Sequence, residues 1–390
     1  MSSTIFIGDC REAMRQMPDA SVDSVVCDPP YHLTSIVKRF GAENAAPAKS
    51  NGATGVYGRA SKGFMGQTWD GGDVAFDPDT WAEVLHVLKP GGHLIAFSGT
   101  RTYHRMVCAI EDAGFEVRDQ LAWVYGSGFP KSHNLDGEWQ GWGTALKPSW
   151  EPICLARKPL IGTVAGNVLQ HGTGALNIDA CRIEASDEDK ANINSKHAGM
   201  DPETYERPEG VSLNLSKRPM PLQQAQAHDL GRWPANLCHD GSEEVLAGFP
   251  DSDSKGGGGS PASGYWGNAG GCDGMIRDDN GSAARFFYCA KATTDERGEG
   301  NTHPTVKPIA LMRWLVRLVT PKGGTVLDPF MGSGSTLLAA EAEQFNAIGC
   351  EMNEAYAAIA ERRLRDAAGV FADVTVSRLD AGDGAQEAAA

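Results

Sequence analysis

The sequence predicts an α/β protein, a mostly parallel sheet with helices on its faces. Two observations carry that expectation. Short apolar runs alternate with amphipathic helical stretches through the first 125 residues and again beyond residue 285. The run Thr325-Val326-Leu327-Asp328-Pro329-Phe330-Met331-Gly332-Ser333-Gly334-Ser335-Thr336 then reads as strand, glycine turn and helix. About twenty residues after that turn, Ala347-Ile348-Gly349-Cys350-Glu351 reads as a second strand ending in an acid, the order of a Rossmann-type nucleotide site.

The first strand spans 5–7 and leaves through Gly8-Asp9-Cys10 into a helix over about 10–17. Asp9, alone after a strand, suits a helix N-cap. Val25-Val26-Cys27 is a short buried strand that runs into Asp28-Pro29-Pro30-Tyr31. Two prolines offer no N–H and fix φ, so the chain must leave the sheet there in a stiff, extended turn. That turn presents a carboxylate, free carbonyls and an aromatic face, equipment suited to a planar base with an exocyclic amine. Residues 33–70 lack periodicity and read as a long functional or disordered loop. A helix is expected over 80–88, ended by Lys89-Pro90-Gly91-Gly92, then a strand over 93–97 and a helix over 103–113. Runs at 115–117 and 120–124 look like the last pair of strands in this half.

From 126 to 284 the chain is Gly- and Trp-rich, with strand-like islands at 150–159, 174–179 and 232–237. Stretches 186–226 and 252–280 read as surface excursions or linkers. A strand-like run at 285–291 returns the chain to the core, and Thr302-His303-Pro304-Thr305-Val306-Lys307-Pro308 leads into a helix over 309–319. A last helix covers about 353–365, and 366–390 is read as a weakly ordered tail.

The tetrad and the glycine turn together resemble an S-adenosylmethionine-dependent amino-methyltransferase of DNA. Because the tetrad precedes the glycine turn, the order is similar to the beta class of that family. Aspartate in the tetrad's first place is typical of its adenine N6 enzymes, serine of its cytosine N4 enzymes. The resemblance implies a Rossmann-like methyltransferase fold with a seven-stranded, mostly parallel sheet and circularly permuted motif order. It divides the chain into catalytic halves at 1–125 and 285–365, a target-recognition insertion at 126–284 and the tail. Asp28, Pro29, Pro30 and Tyr31 would hold the target amine, with Tyr31 stacking on a flipped base. Asp9, Thr305, Lys307, Asp328, Phe330, Gly332, Gly334, Ser335, Thr336 and Glu351 would contact the cofactor, with Glu351 on its ribose. Double-stranded DNA is the implied partner, with a homodimer allowed, in a bacterial or phage-encoded cytoplasmic protein.

Composition limits the alternatives. A hydrophobic fraction of 41% and a charged fraction of 22% are ordinary for a globular protein, and no apolar run reaches the length of a membrane span. Nine cysteines without a repeating framework read as reduced thiols. Cys238, His239, Cys272 and Cys289 fit no compact zinc spacing, so no metal is predicted. A net charge of −15 opposes a simple nucleic-acid binder, but Lys38, Arg39, Lys49, Arg59 and Lys62 stand against Glu43 alone between His32 and Met65. Lys38, Arg39 and Lys62 are therefore the candidate DNA contacts. Absence of a lysine before Ser335-Thr336 excludes a Walker A loop. A cytosine N4 or RNA methyltransferase and a non-catalytic DNA-binding module are the competing readings.

Overall fold

A computed structural model describes residues 1–31, 73–129, 132–185, 231–251, 281–290, 300–303, 306–369 and 373–379. The chain runs β1 (Ser2–Ile7), α1 (Cys10–Arg15), β2 (Val22–Cys27), α2 (Pro78–Val87), β3 (Leu88–Phe97), α3 (Tyr103–Asp112), β4 (Glu116–Val124), β5 (Trp150–Arg157), α4 (Val164–His171) and β6 (Leu237–His239). It continues α5 (Glu243–Gly248), β7 (Tyr288–Cys289), α6 (Ile309–Val319), β8 (Thr325–Asp328), α7 (Ser335–Ala342), β9 (Asn346–Glu351), α8 (Glu354–Ala368) and β10 (Asp373–Arg378).

These strands form one sheet in the order β10-β1-β9-β8-β2-β3-β5-β4-β6-β7. Every pairing is parallel except the two made by β5, which runs against both β3 and β4. Alternation along the central strands divides the core between the two faces. Val25, Cys27, Leu94 and Ala96 pack on one side with Met14, Trp81 and Ile110 of α1, α2 and α3. Val26, Ile95 and Phe97 pack on the other with Leu315, Leu337 and Leu364 of α6, α7 and α8. Burying each such side chain contributes about 1.5–3 kcal/mol. Buried indoles find partners: Trp81 donates to the Ala75 carbonyl at 2.9 Å and Trp314 to that of Cys181 at 3.2 Å.

The two chain halves meet at β2 and β8, where Ser24 pairs with Val326 and Val25 with Leu327. Asp23 pins this junction. One of its oxygens takes Lys89 Nζ at 2.6 Å and the other takes the Thr325 amide at 2.8 Å. After β8 the chain turns toward β9 on one side, and after β2 toward β3 on the other. Strand order therefore reverses between β8 and β2, the place where open α/β sheets bind ligands.

The structure departs from the sequence expectations at several points. Among the described residues the mostly parallel sheet holds ten strands, extending the expected core of about seven at both edges. The runs at 115–117 and 120–124 are one strand, bulged between Val117 and Asp119. Residues 89–92 continue β3, which starts directly after α2, instead of separating helix from strand. The run at 285–291 holds a short 3-10 turn, Ala283–Phe286, and only a two-residue strand. Edges expected at 126 and 366 do not coincide with edges of the sheet. From 126–284 come β5, inserted between β3 and β4, and β6. Buried Ile153, Cys154, Leu155 and Ala156 pack on both faces, which is why that island belongs to the core. In the expected tail, β10 pairs along all of β1, its valines Val374 and Val376 diluted by polar neighbours that face solvent at the sheet edge. No helix among the described residues is long and apolar enough to cross a membrane.

Candidate active site

Four neighbouring parallel strands each deliver an acid to the same edge of the sheet. Asp9 follows β1, Glu351 ends β9, Asp328 ends β8 and Asp28 follows β2. The register sets them side by side, with Ile7 opposite Glu351, Asp328 opposite Gly349 and Val25 opposite Leu327. All four line one cavity of about 720 Å³, with Pro29, Pro30, Tyr31, Lys307, Phe330, Gly332, Ser335 and Thr336.

At the glycine turn, Phe330 N–H donates to Asp328 Oδ1 at 2.9 Å and the Thr336 hydroxyl to Asp328 Oδ2. Burial pushes the Asp328 carboxyl up to about 7, and these two bonds only partly oppose it. Gly332 takes φ +53° and donates its N–H to Glu351 Oε2 at 3.0 Å, while Asn353 N–H holds Oε1 at 2.7 Å. Burial also raises the Glu351 pKa against those bonds. A Cβ on Gly332 would stand 2.8 Å from His303 Nε2, so the turn and the 300–303 segment are in close contact. Asn301 Nδ2 donates to Ser333 Oγ at 3.1 Å, and Arg363 Nη1 to the Ser333 carbonyl at 2.6 Å.

Asp9 does two things at once. It caps α1 by accepting from the Arg11 amide at 2.8 Å and pairs with the Arg11 guanidinium at 3.0 Å. Burial opposes its ionisation, but the Arg11 bonds outweigh it and hold its pKa below the ordinary carboxylate value.

The tetrad is built into a tight polar cluster. Tyr31 OH donates to Asp28 Oδ1 at 2.8 Å and reaches Glu151 Oε2 at 3.3 Å. Lys307 Nζ lies 2.8 Å from Asp28 Oδ2, 2.9 Å from Glu151 Oε2 and 3.1 Å from Tyr31 OH. Burial disfavours the Lys307 ammonium, yet the two carboxylates outweigh that and raise its pKa above the ordinary value. Burial, with Asp28 and Glu151 adding to it, likewise raises the Tyr31 phenol well above its ordinary pKa.

Two of the expected cofactor residues have neighbours that the sequence does not show. Lys307, assigned to the cofactor, is bonded to the tetrad, because its place two residues before α6 points it at Asp28. Gly334, assigned likewise, is not among the cavity walls: at φ +84° its Cβ direction meets the Ala360 Cβ of α8 at 2.9 Å. Thr305, Lys38, Arg39, Lys62 and Cys272 lie outside the described residues. Cys238 and His239 lie in β6, where His239 pairs with Cys289 and its Nδ1 accepts from the Gly241 amide at 3.1 Å. Among the described residues, no group of three or more His, Cys, Asp or Glu side chains could hold a metal ion.

Glu151 was missed by sequence reasoning. Among the described strands only β5 runs antiparallel, so it brings its first residues, rather than its last, to the site edge. The signal present was a Trp-Glu-Pro lead into an apolar strand, which does not reveal its direction.

Residues 22–362 match the model of a DNA methylase family, the N6/N4 methyltransferases. The type II methyltransferase M.HindIII of Haemophilus influenzae is 23% identical over 394 residues, covering 93% of this chain and 96% of that protein. The type II methyltransferase M.HinfI of the same species is 39% identical over 72 residues, 18% of this chain and 20% of that protein. Among solved structures, PvuII DNA methyltransferase, described as cytosine-N4-specific, is 14% identical with TM-score 0.43, covering 93% of this chain and 86% of that one. The M1.HpyAVI–SAM complex is 16% identical with TM-score 0.40, covering 93% and 100%.

Proposed function

The chain belongs to the N6/N4 DNA methylase family, and on that premise we propose that it methylates the N6 amine of an adenine flipped out of double-stranded DNA, using S-adenosylmethionine. The observation that carries this reading is the cavity itself. Asp28 with its stiff Pro-Pro turn and the glycine turn after β8 open side by side into one space at the strand-order reversal.

The residues present suit the cofactor. Three acids, Asp9, Asp328 and Glu351, line a cavity reached by a close-set glycine turn, an environment for a cationic ligand bearing hydroxyls. When bound, S-adenosylmethionine supplies a methyl group on a positively charged sulfur, ready for in-line displacement without a metal. Glu351 and Asp328 are the residues that would hold its hydroxyl-bearing and charged portions.

Adenine's amine is a weak nucleophile because its lone pair is delocalised into the ring. Asp28 would accept a hydrogen bond from that amine and favour a pyramidal nitrogen with its lone pair free. A carboxylate carries about four lone-pair sites, so Asp28 can accept from the amine beyond its bonds to Tyr31 and Lys307. Tyr31 would leave Asp28 Oδ1 to stack on the base, replacing the neighbours lost on flipping. Holding amine and methyl donor in attack geometry is the largest remaining contribution. Aspartate in the tetrad's first place supports adenine; cytosine N4 is the second reading, supported by the same core chemistry. Pairing with a restriction nuclease would follow from the type II relatives.

Asp28→Ala should keep the fold and nearly normal cofactor affinity by calorimetry, while single-turnover methylation with tritiated cofactor falls by orders of magnitude. Near-normal turnover in that variant sinks the amine-acceptor role. Tyr31→Ala should weaken capture of the base and be partly rescued by Phe or Trp. Digestion of the product DNA to nucleosides separates the two readings, N6-methyladenine supporting the first and N4-methylcytosine overturning it.

A further inference from the structure

Lys307 spends all three of its ammonium hydrogens inside the site, one each on Asp28, Glu151 and Tyr31. Its nitrogen also stands 4.8 Å from the centre of the Phe97 ring and 5.5 Å from that of Tyr31. An amine so placed, with both carboxylates holding its proton, is a fixed positive charge and not a base. Only 11% of its side chain is accessible, against 21% and 22% for Asp28 and Glu151. Taking such groups out of water is costly, and a buried ion cluster is weak evidence for stability alone. Its position on the wall of the cavity points to another use.

We infer that Lys307 and Glu151 are positioning residues for methyl transfer: the Lys307 ammonium, shared by two carboxylates, keeps Asp28 ionised and aimed, and Glu151 holds Lys307 in place. The inference rests on the reading of Asp28 as acceptor of the target amine. In that reaction the nitrogen–carbon bond forms as the carbon–sulfur bond breaks, its electron pair leaving with sulfur. The nitrogen is then left with a surplus proton, which passes to the Asp28 carboxylate and on to water. An Asp28 already protonated could neither accept from the amine nor take that proton. Without Lys307, two carboxylates would face one another across a poorly solvated gap. Two like charges held so close repel, and a single proton is readily shared by such a pair.

Other titratable groups face the cluster from each neighbouring element. Tyr125, beyond β4, is pushed up to about 12 by burial, and Cys27, the last residue of β2, is raised by burial as well. Both stay neutral through the physiological range, and so does Tyr31. Asp328 of β8 interacts with Asp28 and ionises near 7, so the rate comparison among variants is also made in an Asp328→Asn background, where the pH-dependent deficit should persist.

The test is single-turnover methylation of bacterial genomic DNA at saturating tritiated cofactor, measured as a pH profile from about pH 6 to about pH 9. Wild type, Lys307→Gln, Lys307→Arg and the double variant Lys307→Gln/Glu151→Gln would be compared, each with cofactor affinity by calorimetry. Lys307→Gln should lose on the order of 100-fold at about pH 6, the size of a lost alignment, with the deficit shrinking as pH rises. The double variant leaves Asp28 without a competing carboxylate and should regain about tenfold or more at about pH 6, one unit of pKa. Lys307→Arg should keep the wild-type profile at a lower rate, and it carries the test where the glutamine variants do not fold. A deficit independent of pH, no recovery in the double variant, or a shifted profile with arginine overturns the proposal. Lost cofactor affinity in Lys307→Gln overturns it too, returning Lys307 to the cofactor. Normal turnover in Asp28→Ala would instead sink the proposed function, so the two failures are distinguishable.

Discussion

Asp328 carries a measurable consequence at the scale of a single carboxyl. An unfolded aspartate titrates at ~3.9, whereas burial raises Asp328 to about 7 in the folded protein. Between those values the native state holds a proton that the unfolded state has released. Its contribution to stability is therefore full below about pH 4 and is lost as pH rises to about 7. Asp328→Asn should flatten that part of the melting-temperature profile of the cofactor-free protein, since Asn can still accept from the Phe330 amide with its oxygen while its NH2 donates to the Thr336 hydroxyl. An unchanged difference in melting temperature between about pH 4 and about pH 7 would place the ionisation elsewhere. A positively charged ligand favours the ionised carboxyl, so cofactor affinity should rise with pH through about 7 in wild type and lose that dependence in the variant. Asp28 and Asp328 were both readable from sequence, because each is the acid that follows an apolar run and precedes proline. The Lys307 motif was visible too, but only packing shows which carboxylates its three hydrogens meet.

At the scale of elements, the glycine turn and β10 behave differently from what their sequences suggest. Gly334, at the start of α7, stands directly against Ala360 of α8. Gly334→Ala should cost about 1–2 kcal/mol for its left-handed backbone and about 1–3 kcal/mol more for the clash with Ala360. Chemical denaturation should register that loss, while cofactor affinity in the folded fraction stays near normal; a selective loss of affinity would return Gly334 to the cofactor. The Leu379 side chain just past β10 stands within 2.9 Å of where a Gly8 Cβ would lie, so β10 also braces the turn that presents Asp9. Ending the chain after Gly369 should lower the melting temperature and weaken cofactor binding together. The central strands could be read because buried Val, Ile and Leu repeat at intervals a strand demands. β10 could not, because an edge strand buries one face poorly and four of its six residues are polar. Nor could the direction of β5, since apolar periodicity is the same read forwards or backwards.

Over the whole molecule, a net charge of −15 must be reconciled with a polyanionic substrate. Replacing Lys38, Arg39 and Lys62 by Ala should weaken DNA binding and reduce the slope of log affinity against log salt by about 0.9 for each phosphate no longer neutralised. An unchanged slope would leave that stretch without a role in affinity. The insertion expected from the change of composition at 126 was only partly informative, because composition reports surface and the sheet's outer strands are short. Sheet order has a further consequence, one of time. β1, at the start of the chain, lies between β9 and β10, with Ser3 beside both Ala347 and Val374. Both partners come far later in the chain, from Asn346 on. At about 5–20 residues per second, ribosomal synthesis leaves β1 with two unpaired edges for roughly 20–70 s. The sheet cannot close until those late strands have emerged, and pairings so distant in sequence slow folding. A ribosome stalled short of residue 346 would display a strand with both hydrogen-bonding edges open, and such nascent chains should be held by chaperones or recovered in aggregates.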